Sequence, residues 1–279
     1  RHAIEQVLGG EHAELILKLN GSDIQLIANP VIRGQKTEGA VILLVNVTEK
    51  LERENLRREF SANVSHELKT PIALIQGYAE GLNENISDDP ESREFYCEVI
   101  MDEASKMNKL VKNLLTLNQL ESGKDAPVME RFDIVSLIRG VLGSMHIMIE
   151  QKEATVIFEE TEPVYVWADE FKIEEVVTNY TSNALNHLDG ERKVEIKVLQ
   201  EEDCVKVTVF NTGTPIPEED IPNLWNKFYK VDKARTREYG GSGIGLSIVK
   251  AIIESMNQKY GVCNYDNGVE FWFTLDCRQ

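Results

Sequence analysis

The sequence predicts an α+β chain in several parts: a short β meander, a charged helical linker, an amphipathic helical hairpin and a closing α/β sandwich. Three observations carry this. Residues 14–48 alternate apolar runs with Gly-containing turns, as short strands do. Phe60, Val64, Leu68, Pro71, Ile75 and Tyr78, and then Ile100, Met107, Leu110, Leu114 and Leu117, recur at threes and fours. At about 3.6 residues per turn each set draws one apolar stripe along a helix. From Met129 onward, strand-like runs alternate with helical ones, which predicts helices layered on a mostly antiparallel sheet.

Taken in order, strands are expected at 14–19, 24–32 and 39–47, with turns at 21–23 and 34–38. Residues 49–58 are charged, with Leu51 and Leu56 as sparse apolar points, and should run unbroken into the first hairpin helix. Pro71 removes the amide that would bond back to the Glu67 carbonyl, so that helix should kink or loosen there. Asn, Ser and Asp at 83–89 end it, and Pro90 and Glu91 open a second helix over 92–119. Two antiparallel helices cannot bury both stripes against each other, so pairing with a second copy into a four-helix bundle is expected. Residues 121–127 read as a hinge. Beyond it come a strand at 131–134, a helix at 135–151 and strands at 154–158 and 164–167. A helix over 170–188 that Asp169 can cap follows, then strands at 194–199 and 205–211, a helix over 243–256 and closing strands through Leu275. The expected domains are therefore 1–48, 49–60, 61–122 and 123–279.

A formal net charge of −17 argues against a nucleic-acid partner and against peripheral binding to anionic lipid. Cys97, Cys204, Cys263 and Cys277 show no C-x-x-C pairing, so a reducing compartment and no zinc site are expected. The longest apolar run, 40–45, falls far short of the ~20 residues a spanning helix needs. The chain opens with Arg and is expected to be a piece of a longer protein, with any membrane segment upstream.

Opposite the stripe of the first hairpin helix, His66 and Thr70 lie one turn apart, with Glu67 flanking them. A lone His in such a place is ordinarily a surface residue, but its neighbours are informative. The block Phe60–Pro71 (FSANVSHELKTP) closely resembles the phospho-acceptor motif of bacterial sensor histidine kinases. The resemblance implies that His66 takes phosphate from ATP, that Glu67 acts as base, and that Thr70 serves the reverse, phosphatase reaction.

Three further blocks follow in the order and approximate spacing of that family. Asn179 and Asn183 share one face of a predicted helix, and an amide oxygen suits Mg²⁺. The segment resembles the family's asparagine box, which implies Mg²⁺ binding by Asn183. Related ATPases such as gyrase carry a hydrolytic Glu where this chain has Asn179. Asn186 stands where Lys or Arg is common, leaving His187 as the nearer candidate for phosphate. The second block, Asn211-Thr-Gly213-Thr-Pro215, ends a strand. In the family it is Asp-x-Gly-x-Gly, and the Asp accepts a hydrogen bond from the adenine amino group. Here Asn211 replaces the Asp, so the bond would lack charge assistance, and Pro215 replaces the second Gly. The third, Gly240-Gly241-Ser-Gly243-Ile-Gly245-Leu246, opens a helix, where glycines and a helix N-terminus suit phosphate. A Rossmann reading would need a strand before this block. The stretch 227–239 is instead polar and basic, and resembles an ATP lid anchored by Trp225 and Phe228, with Lys227 or Lys230 able to reach phosphate.

The resemblance covers residues 60–275. It implies a homodimeric kinase whose closing domain is an ATP-binding α/β sandwich of the histidine kinase/gyrase type, with ATP and Mg²⁺ bound there. The implied partner is a response regulator receiver domain, and the implied setting the cytoplasmic portion of a membrane-anchored bacterial protein. Residues 1–48 resemble the last three strands of a PAS sensor domain, with Asn46-Val47-Thr48 at its usual Asp-x-Thr exit; a generic meander is the alternative. A dimeric scaffold or phosphatase that binds nucleotide poorly, favoured by Asn186 and Asn211, and a hydrolytic ATPase are the competing functions.

Overall fold

In the computed structural model the described residues are 2–34, 36–84, 89–123, 126–159, 162–231 and 242–278. Residues 85–88 of the expected interhelical loop, 124–125 of the hinge, and 232–241 lie outside them. The chain forms two compact units, residues 1–66 and 67–279, a division that falls within one helix rather than at the expected domain boundaries.

In the first unit, helix α1 (His2–Leu8) precedes strands β1 (Ala13–Leu19), β2 (Ser22–Arg33) and β3 (Lys36–Asn46). They form an antiparallel meander in that order, with a bulge between Val31 and Ile32. Val7, Ala13 and Ala28 make its small core. Helix α2 (Thr48–Asn83) starts directly from β3. Asn46 Oδ1 accepts from the Thr48 amide at 3.0 Å and hydroxyl at 2.7 Å, and Thr48 Oγ1 accepts from the Asp23 amide at 2.8 Å. Asn46 thus provides at this exit the short side-chain oxygen that an Asp would.

Helix α2 runs as a single 36-residue helix through Pro71, which is buried. Phe60, Val64, Leu68, Ile75 and Tyr78 are half-buried on the stripe read from the sequence. Helix α3 (Pro90–Glu121) is capped by Asp89, which accepts from the Ser92 amide at 2.8 Å. The two helices meet through Tyr78 and Tyr96, edge to face at 5.1 Å. A Cβ on Gly81 would sit 2.8 Å from the Tyr96 ring, so only glycine allows that approach.

The C-terminal part holds β4 (Glu130–Asp133), α4 (Ile134–Ser144), α5 (His146–Gln151), β5 (Thr155–Ile157), β6 (Tyr165–Ala168), α6 (Glu170–Asn186), β7 (Lys193–Gln200), β8 (Cys204–Thr212), α7 (Gly245–Ser255), β9 (Tyr260–Tyr265) and β10 (Gly268–Asp276). The sheet order is β4-β6-β10-β8-β7-β5 with β9 on β10, and every pair is antiparallel except β5 with β7. The single helix expected over 135–151 is two. Ser144 Oγ donates to the Val141 carbonyl at 2.8 Å, which also receives the Met145 amide at 3.1 Å, and Met145 leaves helical geometry at φ −97°, ψ 6°. Tyr180 of α6 packs on Phe271 and Phe273 of β10, joining the helix layer to the sheet.

The stripe expected as a bundle seam is shared. Leu110 and Leu117 of α3 are buried in the same apolar cluster as the sheet, α4, α6 and α7, with Leu68 and Leu114 packed against it. Leu117 is only 2% exposed. Truncating Leu117→Ala should therefore cost about 2–5 kcal/mol of the C-terminal unit's stability in urea unfolding; a loss below about 0.5 kcal/mol, the surface range, would mean that α3 is not part of that core.

Candidate functional site

Asp169 caps α6 by accepting from the Lys172 amide at 3.1 Å, as its position before Glu170 predicts, and its other oxygen accepts from the Val128 amide at 2.8 Å. One face of α6 enters the core through Ile173, Val176, Val177, Tyr180 and Leu185. That leaves Asn179, Asn183 and Asn186 half-buried beside it, and His187 exposed at the helix end. Asn179 Nδ2 donates to the Glu175 carbonyl at 2.9 Å. Its Oδ1 lies 2.7 Å from where a Cβ on Gly245 would stand, so Gly245 is the residue that lets the start of α7 approach α6. The Asn183 carboxamide has no hydrogen bond among the described residues. A half-buried, unengaged amide oxygen fits a hard cation that keeps most of its waters.

The end of β8 closes on the end of α6. Asn211 is 3% exposed. Its Nδ2 donates to the His187 carbonyl at 3.4 Å and the Thr212 carbonyl at 3.2 Å. A Cβ on Gly213 would come within 2.6 Å of that same His187 carbonyl, which explains the glycine. Beyond it, Asn264 holds the loop as a strand would, accepting from the Ile216 amide at 3.0 Å and donating to its carbonyl at 2.6 Å.

Gly243 has φ +70°, and a Cβ there would meet the Phe228 backbone at 2.9 Å. The Phe228 amide donates to the Gly243 carbonyl at 2.8 Å, with Phe228 itself held at φ +63°. The root of the basic stretch is therefore tied by main chain to the glycine block. Leu246 and Phe228 are half-buried against the core, and Gly241 lies outside the described residues. Trp225 anchors the same root, edge to face with Tyr260 at 4.5 Å and with Phe271 at 6.0 Å.

The two lysines expected to reach phosphate are paired with acids of the helical hairpin. Lys230 Nζ lies 2.9 Å from Glu67 Oε1, and Lys227 Nζ 2.6 Å from Glu121. Sequence reasoning missed Glu121 and both pairings, because 163 and 106 residues separate the partners. On α2, His66 and Thr70 are exposed and Glu67 is half-buried, the division the stripe predicts.

Glu175, one turn before Asn179, is also new. Burial pushes its carboxyl above the ordinary Glu range, although Lys112 of α3 and Lys172 draw it back. The structure thus brings Asn179, Gly245, His187, Asn211 and Gly213 to tight packing points between α6, α7 and β8, and ties Gly243 to Phe228. Main-chain glycines and half-buried amides beside a basic segment suit an anionic ligand with a Mg²⁺ counter-ion.

Two family models match the chain. Residues 168–279 match the family model described as histidine kinase-, DNA gyrase B- and HSP90-like ATPase, and residues 56–123 match the His Kinase A (phospho-acceptor) domain. The sensor protein kinase WalK of Staphylococcus epidermidis is 33% identical over 243 residues, which are 86% of this chain and 40% of that protein. The sensor histidine kinase WalK of Bacillus subtilis is 33% identical over 222 residues, 79% of this chain and 36% of that one. The chain thus spans about two-fifths of the length of these relatives. Among solved structures, histidine kinase ThkA in complex with response regulator protein TrrA superposes with a TM-score of 0.65 at 28% identity, covering 99% of this chain and 82% of that one. Acinetobacter baumannii histidine kinase AdeS shares the fold, with a TM-score of 0.64 at 22% identity over 77% of this chain and 98% of that one.

The raised Glu175 carboxyl has a signed consequence. The folded state holds this proton more tightly than the unfolded one, so stability falls as pH rises from the ordinary value of 4.5 through the folded value. Glu175→Gln should melt at a higher temperature than the parent at pH 7, with the gap closing as pH falls below about 4.5. A gap that widens on acidification would contradict the assignment.

Proposed function

This chain belongs to the bacterial sensor histidine kinases, and from that membership we propose that it phosphorylates His66 from ATP and passes the phosphoryl group to an aspartate of a response regulator. The observation that carries this reading is the convergence of the asparagine box, the Asn211 loop and the glycine block at the packing points Gly245–Asn179 and Gly213–His187, in a chain whose phospho-acceptor block leaves His66 exposed.

ATP binds between α6, α7 and the end of β8, with its base toward Asn211 and Gly213 and its phosphates toward Gly243, Gly245 and Leu246. Asn179 and His187 complete the walls, and Phe228 roots the lid. Asn183 would hold Mg²⁺, which neutralises charge on the phosphate oxygens. Glu67 accepts the proton from one ring nitrogen of His66. The other nitrogen forms a bond to the γ-phosphorus as the bond from that phosphorus to the bridging oxygen breaks, and ADP leaves with the electron pair. An Asn at 179, where related ATPases have Glu, withholds the base that would activate water instead. In the reverse reaction Thr70 positions water against the phosphorylated regulator.

The Lys230–Glu67 and Lys227–Glu121 pairs give this site a built-in competition. An ammonium that leaves Glu67 for phosphate frees the carboxylate for its work as base. Exposed Ile72, Leu74, Val111 and Leu115 on the hairpin supply apolar surface for a second copy, consistent with a homodimeric bundle. Among the described residues no helix is long and apolar enough to cross a membrane. The proposed setting is the cytoplasmic portion of a membrane-anchored kinase.

Incubation with γ-labelled ATP and Mg²⁺ should give acid-labile, base-stable label that His66→Gln abolishes. Thr70→Ala should keep the label while slowing dephosphorylation of the regulator. ATP binding without label would favour the scaffold or phosphatase reading, and label surviving in His66→Gln would mean another acceptor.

A further inference from the structure

We propose that Asp169 is a positioning residue for phosphoryl transfer: its second carboxylate oxygen pins the hinge that follows the hairpin onto α6, the helix of the asparagine box. The proposal rests on the reading that His66 is phosphorylated from ATP. It goes beyond that reading by assigning part of the rate to a side chain that touches neither of them.

Capping a helix takes one oxygen. Asp169 Oδ1 does that work, accepting from the Lys172 amide at 3.1 Å. Its Oδ2 accepts from the Val128 amide at 2.8 Å, across 41 residues of sequence. Asp169 is only 6% exposed, and Lys172 Nζ stands 4.0 Å from Oδ2. The second bond is therefore charge-assisted and sheltered from water. A residue that only capped would turn this oxygen to solvent.

Val128 is not a packing point, since it is 70% exposed. What the fold uses there is the main-chain N–H. Strand β4 begins at Glu130, opposite Ala168, the last residue of β6. Helix α6 opens at Glu170, so the ladder has reached its end. The Asp169 side chain carries the attachment further, to Val128.

The other end of the hinge is fixed as well. Leu110 and Leu117 of α3 lie in the core, and the Ser122 amide closes that helix on the Asn118 carbonyl at 3.1 Å. Between these anchors residues 122–127 span at most about 20 Å, whereas a main chain loose as far as 129 would span about 27 Å. In the proposed reaction Lys230 leaves Glu67 for phosphate, and the hinge is the covalent constraint that remains. Its far end is held on α6, which carries Asn179 and Asn183. Slack there costs orientation, and a misplacement of about 1 Å is worth about a hundredfold in rate.

The test is the single-turnover rate of label transfer from γ-labelled ATP to His66 in the whole chain, read beside the dissociation constant for ATP·Mg²⁺. Val128→Pro removes the hinge N–H and leaves the Asp169 cap and Lys172 in place, while Val128→Ala keeps the N–H. At saturating ATP, Val128→Pro should transfer about tenfold or more slowly than the parent with a dissociation constant within about twofold. Val128→Ala should match the parent in both. Asp169→Asn, whose oxygen keeps the cap while its amide nitrogen faces the Val128 N–H, should show the same split as Val128→Pro.

Transfer by Val128→Pro at the parent's rate overturns the proposal. So does a weakening of ATP binding in step with the rate, which is what a purely structural role gives. One measurement needs no variant: the Val128 amide of the parent should exchange with deuterium about tenfold or more slowly than a free peptide amide. Exchange at the free rate overturns the tether. A parent that takes no label overturns the phosphorylation reading instead, so the two failures are distinguishable.

Discussion

Two leucines of the hairpin tie it to the core of the larger unit. Leu110 and Leu117 leave the stripe of α3 and enter the apolar cluster built from the sheet, α4, α6 and α7. Burying two such side chains is worth about 3–6 kcal/mol before the loss of freedom is subtracted. It also fixes which face of the C-terminal domain looks at the hairpin, because α3 lies along α7, the helix that the glycine block opens. The root of the basic stretch, tied by main chain to Gly243, is thereby brought within ion-pair reach of Glu67 and Glu121.

In a chain of net charge −17, the placement of a few lysines matters more than their number. Lys230 and Glu67 are both mostly withdrawn from water, with side chains 17% and 31% exposed. That makes their attraction less screened than that of an open surface pair. In the proposed reaction the same cation has two anionic partners, the carboxylate of Glu67 on α2 and the phosphates of ATP. Coupling between nucleotide capture and release of the base needs no long-range path under this arrangement, since one side chain serves both.

Much of this was legible in the sequence. The 3.6-residue stripes placed His66 and Thr70 in water and Leu68 and Ile75 on the packed side, where they are half-buried. Asp169 signalled the start of α6, and the glycines at 213, 243 and 245 marked places where a Cβ has no room. What escaped depends on chain segments far apart. No local pattern pairs Lys230 with Glu67, nor tells which seam leucines enter the C-terminal core. The break at Met145 interrupts an apolar run that reads as one helix, although the Met145 amide still reaches the Val141 carbonyl at 3.1 Å. At Asn211 the sequence displays a departure from the family's Asp, but the two carbonyls that give the amide its direction belong to backbone that only the fold brings there.

The central claim is that Glu67 and the phosphates of ATP compete for Lys230. Its most direct test is the dissociation constant of ATP·Mg²⁺ for Glu67→Gln beside the parent. Neither variant nor parent needs to complete phosphoryl transfer for this to be read. Removing the competing carboxylate should tighten binding by about two- to fivefold, the worth of a partly screened ion pair, although the substituted residue lies on the phospho-acceptor helix. Unchanged or weaker binding would contradict the account.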